Sequence, residues 1–127
     1  MEATTLHIKT AAARELGRRG EQQACDYLTS IGQTVLSRNW RSGHLELDLV
    51  TLDRSGLHFV EVKTRSKADY LDGSIDARKQ RKLISAARRY VRSHGGLEPM
   101  EYFFDVVLIE DGHPVTYRPQ AFLPLFQ

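Results

Sequence analysis

Two segments, LELDLVTL (45–52) and LHFVEVKT (57–64), constrain the fold of this chain more than any other feature. Both are rich in strand-forming residues, and the DRSG between them supplies turn residues. An antiparallel hairpin closing around Arg54-Ser55 sets Leu52 opposite Leu57 and Val50 opposite Phe59. The same register sets Asp48 opposite Glu61 and Glu46 opposite Lys63, with all four charges on one face. That face also carries Val50, Leu52, Leu57 and Phe59, and the other carries Leu45, Leu47, Leu49, Val60 and Val62. A strand pair that is apolar on both faces belongs inside a sheet covered on both sides. Charges set into a covered face need a chemical reason.

Directly opposed side chains have Cβ atoms about 4.5–5.5 Å apart. Two carboxylates at that range repel each other unless they share a proton or a cation. Magnesium accepts oxygen ligands, commonly through one or two carboxylates. Asp48 and Glu61 are therefore candidate ligands for Mg²⁺ or Mn²⁺. Lys63, two residues along the same face, is a candidate for acting on the attacking water or the phosphate. The same residues also admit a plainer reading, a solvated strand face with Glu46 and Lys63 as a cross-strand ion pair.

The rest of the chain supplies elements on either side of this hairpin. From about Ala11 to Ile31 the residues Leu16, Gly20, Ala24, Tyr27, Leu28 and Ile31 recur at helical spacing, with Gly32 as a stop. QTVLSRNW (33–40) reads as a short strand, and residues 67–74 as a loop. Asp76 can cap a second helix whose stripe is Leu83, Ala87, Tyr90 and Val91. YFFDVVLIE (102–110) is the most apolar strand, Asp111-Gly112 is a hairpin turn signal leading into PVTY, and the tail RPQAFLPLFQ is expected to be irregular. The 127 residues suffice for one domain, 1–127, a mixed sheet flanked by helices.

Composition excludes several classes. With 41% hydrophobic and 27% charged residues the chain is globular, and no apolar run approaches the roughly 20 residues of a membrane helix. No secretory signal pattern opens the chain, so a cytoplasmic location and no membrane partner are expected. Cys25 is the single cysteine and the five histidines lack ligand spacing, which argues against a zinc site. The net charge of +2 conceals a segment from Ala77 to His94 with seven bases and no acids, on an otherwise acidic body. Such a segment fits either an anionic polymer or a solvated helix face.

At Asp48, Glu61, Val62 and Lys63 the chain resembles the PD-(D/E)xK nuclease superfamily, with Asp48 as the motif aspartate and Glu61-Val62-Lys63 as the tripeptide. More closely, GRRGEQQACDYL (17–28), SRNWRSGHLELDLV (37–50), FVEVKTR (59–65), RKQRKLISAARRY (78–90) and FDVVLI (104–109) resemble, in order, the signatures of the YraN-like family of small bacterial proteins, itself similar to archaeal Holliday-junction resolvases. The resemblance implies an α/β fold with a restriction-endonuclease-like α-β-β-β-α-β core. It also implies a Mg²⁺- or Mn²⁺-dependent endonuclease acting on DNA, branched DNA included. Glu21 joins Asp48, Glu61 and Lys63 as a site residue by the same resemblance, with Gly17 and Gly20 allowing close approach to the sheet. Arg41, Arg65, Arg78, Lys79 and Lys82 are the candidate nucleic-acid contacts, and a structural hydrogen-bond role is expected for Asp105. The spacing between Gly43 and Glu46 is two residues longer than the family's usual Gly-Glu-Ile-Asp. A homodimer is compatible with cutting both strands. A nucleic-acid-binding module without cleavage, and a protein-docking adaptor, are the alternative functions.

Overall fold

The computed structural model describes residues 11–65, 75–97, 100–110 and 112–123. Helix α1 (Ala11–Ser30) buries Gly20, Ala24, Cys25 and Leu28 as a single stripe. Its end is fixed by Gly32 at φ 98°, and by a hydrogen bond from Gln33 N to Leu28 O of 3.0 Å. A left-handed glycine is what such a helix stop requires. Strands β1 (Thr34–Ser42), β2 (Leu45–Leu52) and β3 (Leu57–Arg65) follow, then α2 (Ala77–Ser93), β4 (Tyr102–Glu110) and β5 (Thr116–Phe122).

The five strands form one sheet in the order β1-β2-β3-β4-β5. Only β3 and β4 run parallel; the other neighbours are antiparallel. A parallel pair needs a crossover, and α2 provides it. Asp76 caps α2 by accepting a hydrogen bond from Lys79 N at 2.8 Å, and the helix lays Leu83, Ala86, Ala87, Tyr90 and Val91 on one face of the sheet. Val50, Leu57, Phe59, Phe104 and Val106 meet that stripe. On the other face Leu49, Val60, Val107 and Ile109 pack against α1. The sheet is thus covered on both sides, a restriction-endonuclease-like α/β layer arrangement.

The β2–β3 turn has the predicted register. Asp53 and Gly56 exchange backbone hydrogen bonds of 3.1 and 3.3 Å around Arg54 and Ser55, and the ladder runs from Leu52–Leu57 to Leu49–Val60. Three expectations are corrected. Strand β1 extends to Ser42, so β2 has a partner along its whole length and Glu46 faces Arg41 of β1, not Lys63. The tail is not irregular through Phe122: β5 runs across Pro119, which an edge strand tolerates because one row of its N–H groups is unpaired. A register shift between Phe104 and Val106, with Gln120 at φ 49°, absorbs the irregularity there. Finally, Gly20 alone allows α1 to approach the sheet; a Cβ on it would collide with Thr64 Cγ2, whereas Gly17 has open space. The expected loop over 67–74 and the residue Asp111 lie outside the described residues.

Candidate active site

Between Leu47 and Leu49 the alternation of β2 breaks. Leu47 packs into the α2-side core and Leu49 into the α1-side core, although strict alternation would place them together. The strand therefore turns about its own axis at Asp48. There the ladder to β3 ends, and Asp48 Oδ2 accepts the Val62 N–H at 2.8 Å. A side-chain carboxylate takes over where a backbone acceptor would have stood, which fixes Asp48 between the two strands beside Glu61.

The electrostatics follow from that placement. Burial and then the neighbouring Glu61 charge push the Asp48 carboxyl up to about 7; a side-chain hydrogen bond with Glu61 and the more distant Glu21 charge add to the rise, and only the Val62 N–H opposes it. Near neutrality the pair holds a proton that an isolated aspartate would have lost. Glu61 is largely buried and meets Lys79 Nζ of α2 at 3.5 Å. Lys63 is half-buried and projects from the same face of β3 as Glu61. Glu21 reaches over from α1, and its Oε1 accepts a hydrogen bond from Asn39 Nδ2 at 3.2 Å.

The structure thus brings Glu21, Asp48, Glu61 and Lys63 to one region where β2 and β3 separate under the two helices. It alters the expected role of Lys79, whose ammonium rests on Glu61, while Arg78 and Lys82 stay exposed on α2. Arg41 is also exposed and lies 3.5 Å from Glu46. Arg65 closes β3 opposite Glu110; its side chain lies outside the described residues. Trp40 packs edge-on against Tyr90 at 5.3 Å and serves the core. Asn39 has no signal in the sequence: its contact depends on a left-handed backbone, φ 51°, within a strand, which no spacing rule announces.

A second polar cluster lies on the α1 side of the sheet. Asp105, fully buried, accepts hydrogen bonds from His58 Nδ1 (2.7 Å), Tyr117 OH (2.5 Å) and Gln120 N (3.0 Å). His58 Nε2 lies 2.9 Å from Asp53 Oδ1, so both ring nitrogens face carboxylates. Burial depresses the imidazole, but the hydrogen bonds to Asp105 and Asp53 outweigh it and its pKa lies above the ordinary value. Asp53 is shifted down to about 2: partial burial works upward and is outweighed by hydrogen bonds from Ser55 and His58. The Tyr117 hydroxyl is raised, by burial and by its donation to Asp105. This cluster ties β5 and the β2–β3 turn to the sheet, a structural role for Asp105.

Could the residues of the first cluster hold a divalent cation? Among the described residues no group of three or more histidine, cysteine, aspartate or glutamate side chains is placed to hold a metal. Asp48 and Glu61 are two, the number Mg²⁺ commonly takes from protein while keeping waters. Their mutual repulsion is the strain a cation would relieve. The donors are oxygens, which suit Mg²⁺ or Mn²⁺.

The model of the Uncharacterised protein family UPF0102 matches residues 20–109. The chain belongs to this family. A UPF0102 protein of Pseudomonas putida is 40% identical over 124 residues, covering 91% of this chain and 98% of that protein. A UPF0102 protein of Chlorobium chlorochromatii is 43% identical over 95 residues, 73% of this chain and 72% of that one. Among solved structures, this UPF0102 member is similar to Archaeoglobus fulgidus Hjc, a Holliday junction resolvase, with a TM-score of 0.53 and 19% identity over 80% of this chain and 75% of that one. The likeness is one of fold. Among the described residues no helix is long and apolar enough to cross a membrane.

Proposed function

We propose that this UPF0102 member is a nuclease that hydrolyses phosphodiester bonds of DNA with the help of Mg²⁺ or Mn²⁺, with branched DNA as the first substrate class to test. The observation that carries this reading is the Asp48–Glu61 pair, two largely buried acids side by side where the β2–β3 ladder ends, with burial first and the Glu61 charge second raising the Asp48 carboxyl. Asp48 and Glu61 would hold the cation. When bound, it supplies the positive charge that offsets the phosphate and makes a water acidic enough to attack. Lys63, on the Glu61 face, is the group to orient that water or to neutralise a phosphate oxygen. Glu21, steadied by Asn39, is an accessory acid of the same site. Exposed Arg78, Lys82 and Arg41, together with Arg65, would contact backbone phosphates, an attraction that weakens with salt. Cutting both strands of a duplex calls for two copies of one site, so we expect action as a homodimer, in the cytoplasm where bacterial DNA lies.

One observation favours a second reading, a module that binds nucleic acid without cutting it. Lys79 already sets an ammonium on Glu61, which partly neutralises the acid without any metal. Incubating linear, flap, forked and four-way DNA with the protein in Mg²⁺, Mn²⁺ or EDTA separates the two. The nuclease reading expects metal-dependent cleavage that Lys63→Ala abolishes while binding persists. Binding without cleavage of any of these DNAs in either metal would establish the module instead.

A further inference from the structure

A groove of about 290 Å³ lies at the carboxyl end of β4, lined chiefly by Leu108, Glu110, His113, Thr116 and Arg118. The sheet register connects it to the candidate site. Glu61 pairs with Val106 and Lys63 with Leu108 across β3 and β4. Val106 pairs in turn with Arg118, and Leu108 with Thr116, across β4 and β5. Paired residues project from the same face. Two rows therefore cross the α2 side of the sheet, Glu61–Val106–Arg118 and Lys63–Leu108–Thr116. Tyr117 packs into the α1-side core, as a residue between Thr116 and Arg118 should.

The spacing is that of a polymer. Neighbouring strands lie about 4.8 Å apart, so the Arg118 Cα stands roughly 10 Å from that of Glu61. A stacked nucleic-acid strand rises about 3.4 Å per nucleotide, so the interval is about three nucleotides. Arg118 is exposed and makes no hydrogen bond or ion pair among the described residues. The carboxylate in the groove, Glu110, is turned to His113, with Oε2 at 3.3 Å from Nδ1. The groove also sits at the carboxyl end of the one parallel strand pair, the end at which α/β sheets take ligands.

We propose that this groove is a subsite for the nucleic-acid strand, with the Arg118 guanidinium on a backbone phosphate about three nucleotides from the one at Asp48 and Glu61. The subsite rests on the nuclease reading for its occupant. It adds a direction: the strand leaves the site across the sheet toward β5, over Leu108, in addition to any hold by the basic residues of α2.

The test measures binding without cutting. A fluorescein-labelled oligothymidylate of about twelve nucleotides is titrated in EDTA over a KCl series, and anisotropy gives the affinity at each salt concentration. Arg118→Gln should weaken binding about fivefold at low salt and flatten the log–log salt dependence by about 0.7, the loss of one single-strand phosphate contact. Thr116→Asp, which sets a carboxylate into the groove, should weaken it at least as much. Arg54→Gln, in the turn at the opposite end of β3, should change neither quantity. Circular dichroism checks folding, and Thr116→Asp carries the test should Arg118→Gln not fold. A folded groove variant with the salt slope of Arg54→Gln overturns the subsite; if Arg78→Gln and Lys82→Gln still weaken binding, the nuclease reading stands without it. A parent protein with no salt-dependent binding overturns the subsite, and the cleavage panel in Mg²⁺ and Mn²⁺ then decides the nuclease reading by itself.

Discussion

Replacing Asp48 by asparagine should make the metal-free protein more stable while destroying the candidate site. The Asp48→Asn side chain keeps a carbonyl oxygen for the Val62 N–H, the 2.8 Å bond that anchors it. It removes the charge that burial and Glu61 oppose. The carboxyl is raised from 3.8 to about 7, and each unit is worth about 1.36 kcal/mol, which bounds the effect at about 4 kcal/mol. Relaxation of Glu61 toward Lys79 should reduce the measured value to roughly 2 kcal/mol. The sign follows from proton linkage. The folded state binds the Asp48 proton more tightly than the unfolded chain does, so this contribution is complete below about pH 4 and is lost as pH rises through 7. The amide has no such loss. Urea unfolding in EDTA, followed by the fluorescence of the single tryptophan, Trp40, gives the comparison. The two proteins should be close in stability near about pH 4.5 and the variant ahead at about pH 8; Mg²⁺ should then raise the midpoint of the parent alone. A variant no more stable than the parent at the higher pH, or a gap independent of pH, would refute the reasoning.

Three further outcomes follow from other parts of the molecule. Lys79→Gln removes the ammonium from Glu61 and should tighten Mn²⁺ binding roughly fivefold, about 1 kcal/mol for a partly exposed pair, as measured by calorimetry. His58→Gln leaves Asp53 and Asp105 without their imidazolium and should cost about 3–5 kcal/mol near pH 6. Because the folded pKa of His58 is raised, its contribution is complete below its ordinary value of 6.5 and is lost as pH rises through the folded value; the gap between parent and variant should narrow above neutrality, and a constant gap from about pH 5 to 9 would count against the imidazolium. Gly20→Ala drives a Cβ into Thr64 Cγ2 and should cost about 1–3 kcal/mol, recovered in large part by Thr64→Ser, so an additive double mutant would contradict the contact.

The hairpin is legible in the sequence because a period of two leaves little freedom: once DRSG is a turn, Val50 must face Phe59, and it does. The acids stand out for a related reason, as charges inside strands apolar on both faces. What the period cannot reveal is that β2 turns at Asp48, because this depends on where its ladder with β3 stops and on the Val62 N–H left for the carboxylate. Glu46 escapes the hairpin arithmetic because its neighbour belongs to β1, whose pairing is set by a bulge at Leu36. The contact of His58 with Asp105 is hidden more deeply. It needs the parallel register of β3 on β4, in which Val60 and Asp105 are partners, and that register is set by the packing of α2 rather than by a turn.

The two acidic clusters differ in a way that bears on function. Asp53 and Asp105 stand on opposite nitrogens of the His58 imidazole, and a tyrosine hydroxyl and backbone N–H groups also donate to them, whereas Asp48 and Glu61 meet side chain to side chain. Asp53, less deeply buried and given hydrogen bonds by Ser55 and His58, sits at about 2, whereas burial first and the Glu61 charge second push Asp48 to about 7 against the Val62 N–H. Among the described residues no buried side-chain polar atom lacks a hydrogen-bond partner, so Asp48 is strained by charge and not by a missing contact. At the first cluster Glu61 meets the Lys79 ammonium at 3.5 Å and Asp48 accepts the Val62 N–H, yet the two carboxyl groups still face each other. An acid pair kept under repulsion beside Lys63 is what a site needs if its positive charge comes from outside the chain, and that contrast supports the metal-dependent reading more directly than the spacing of the motif does.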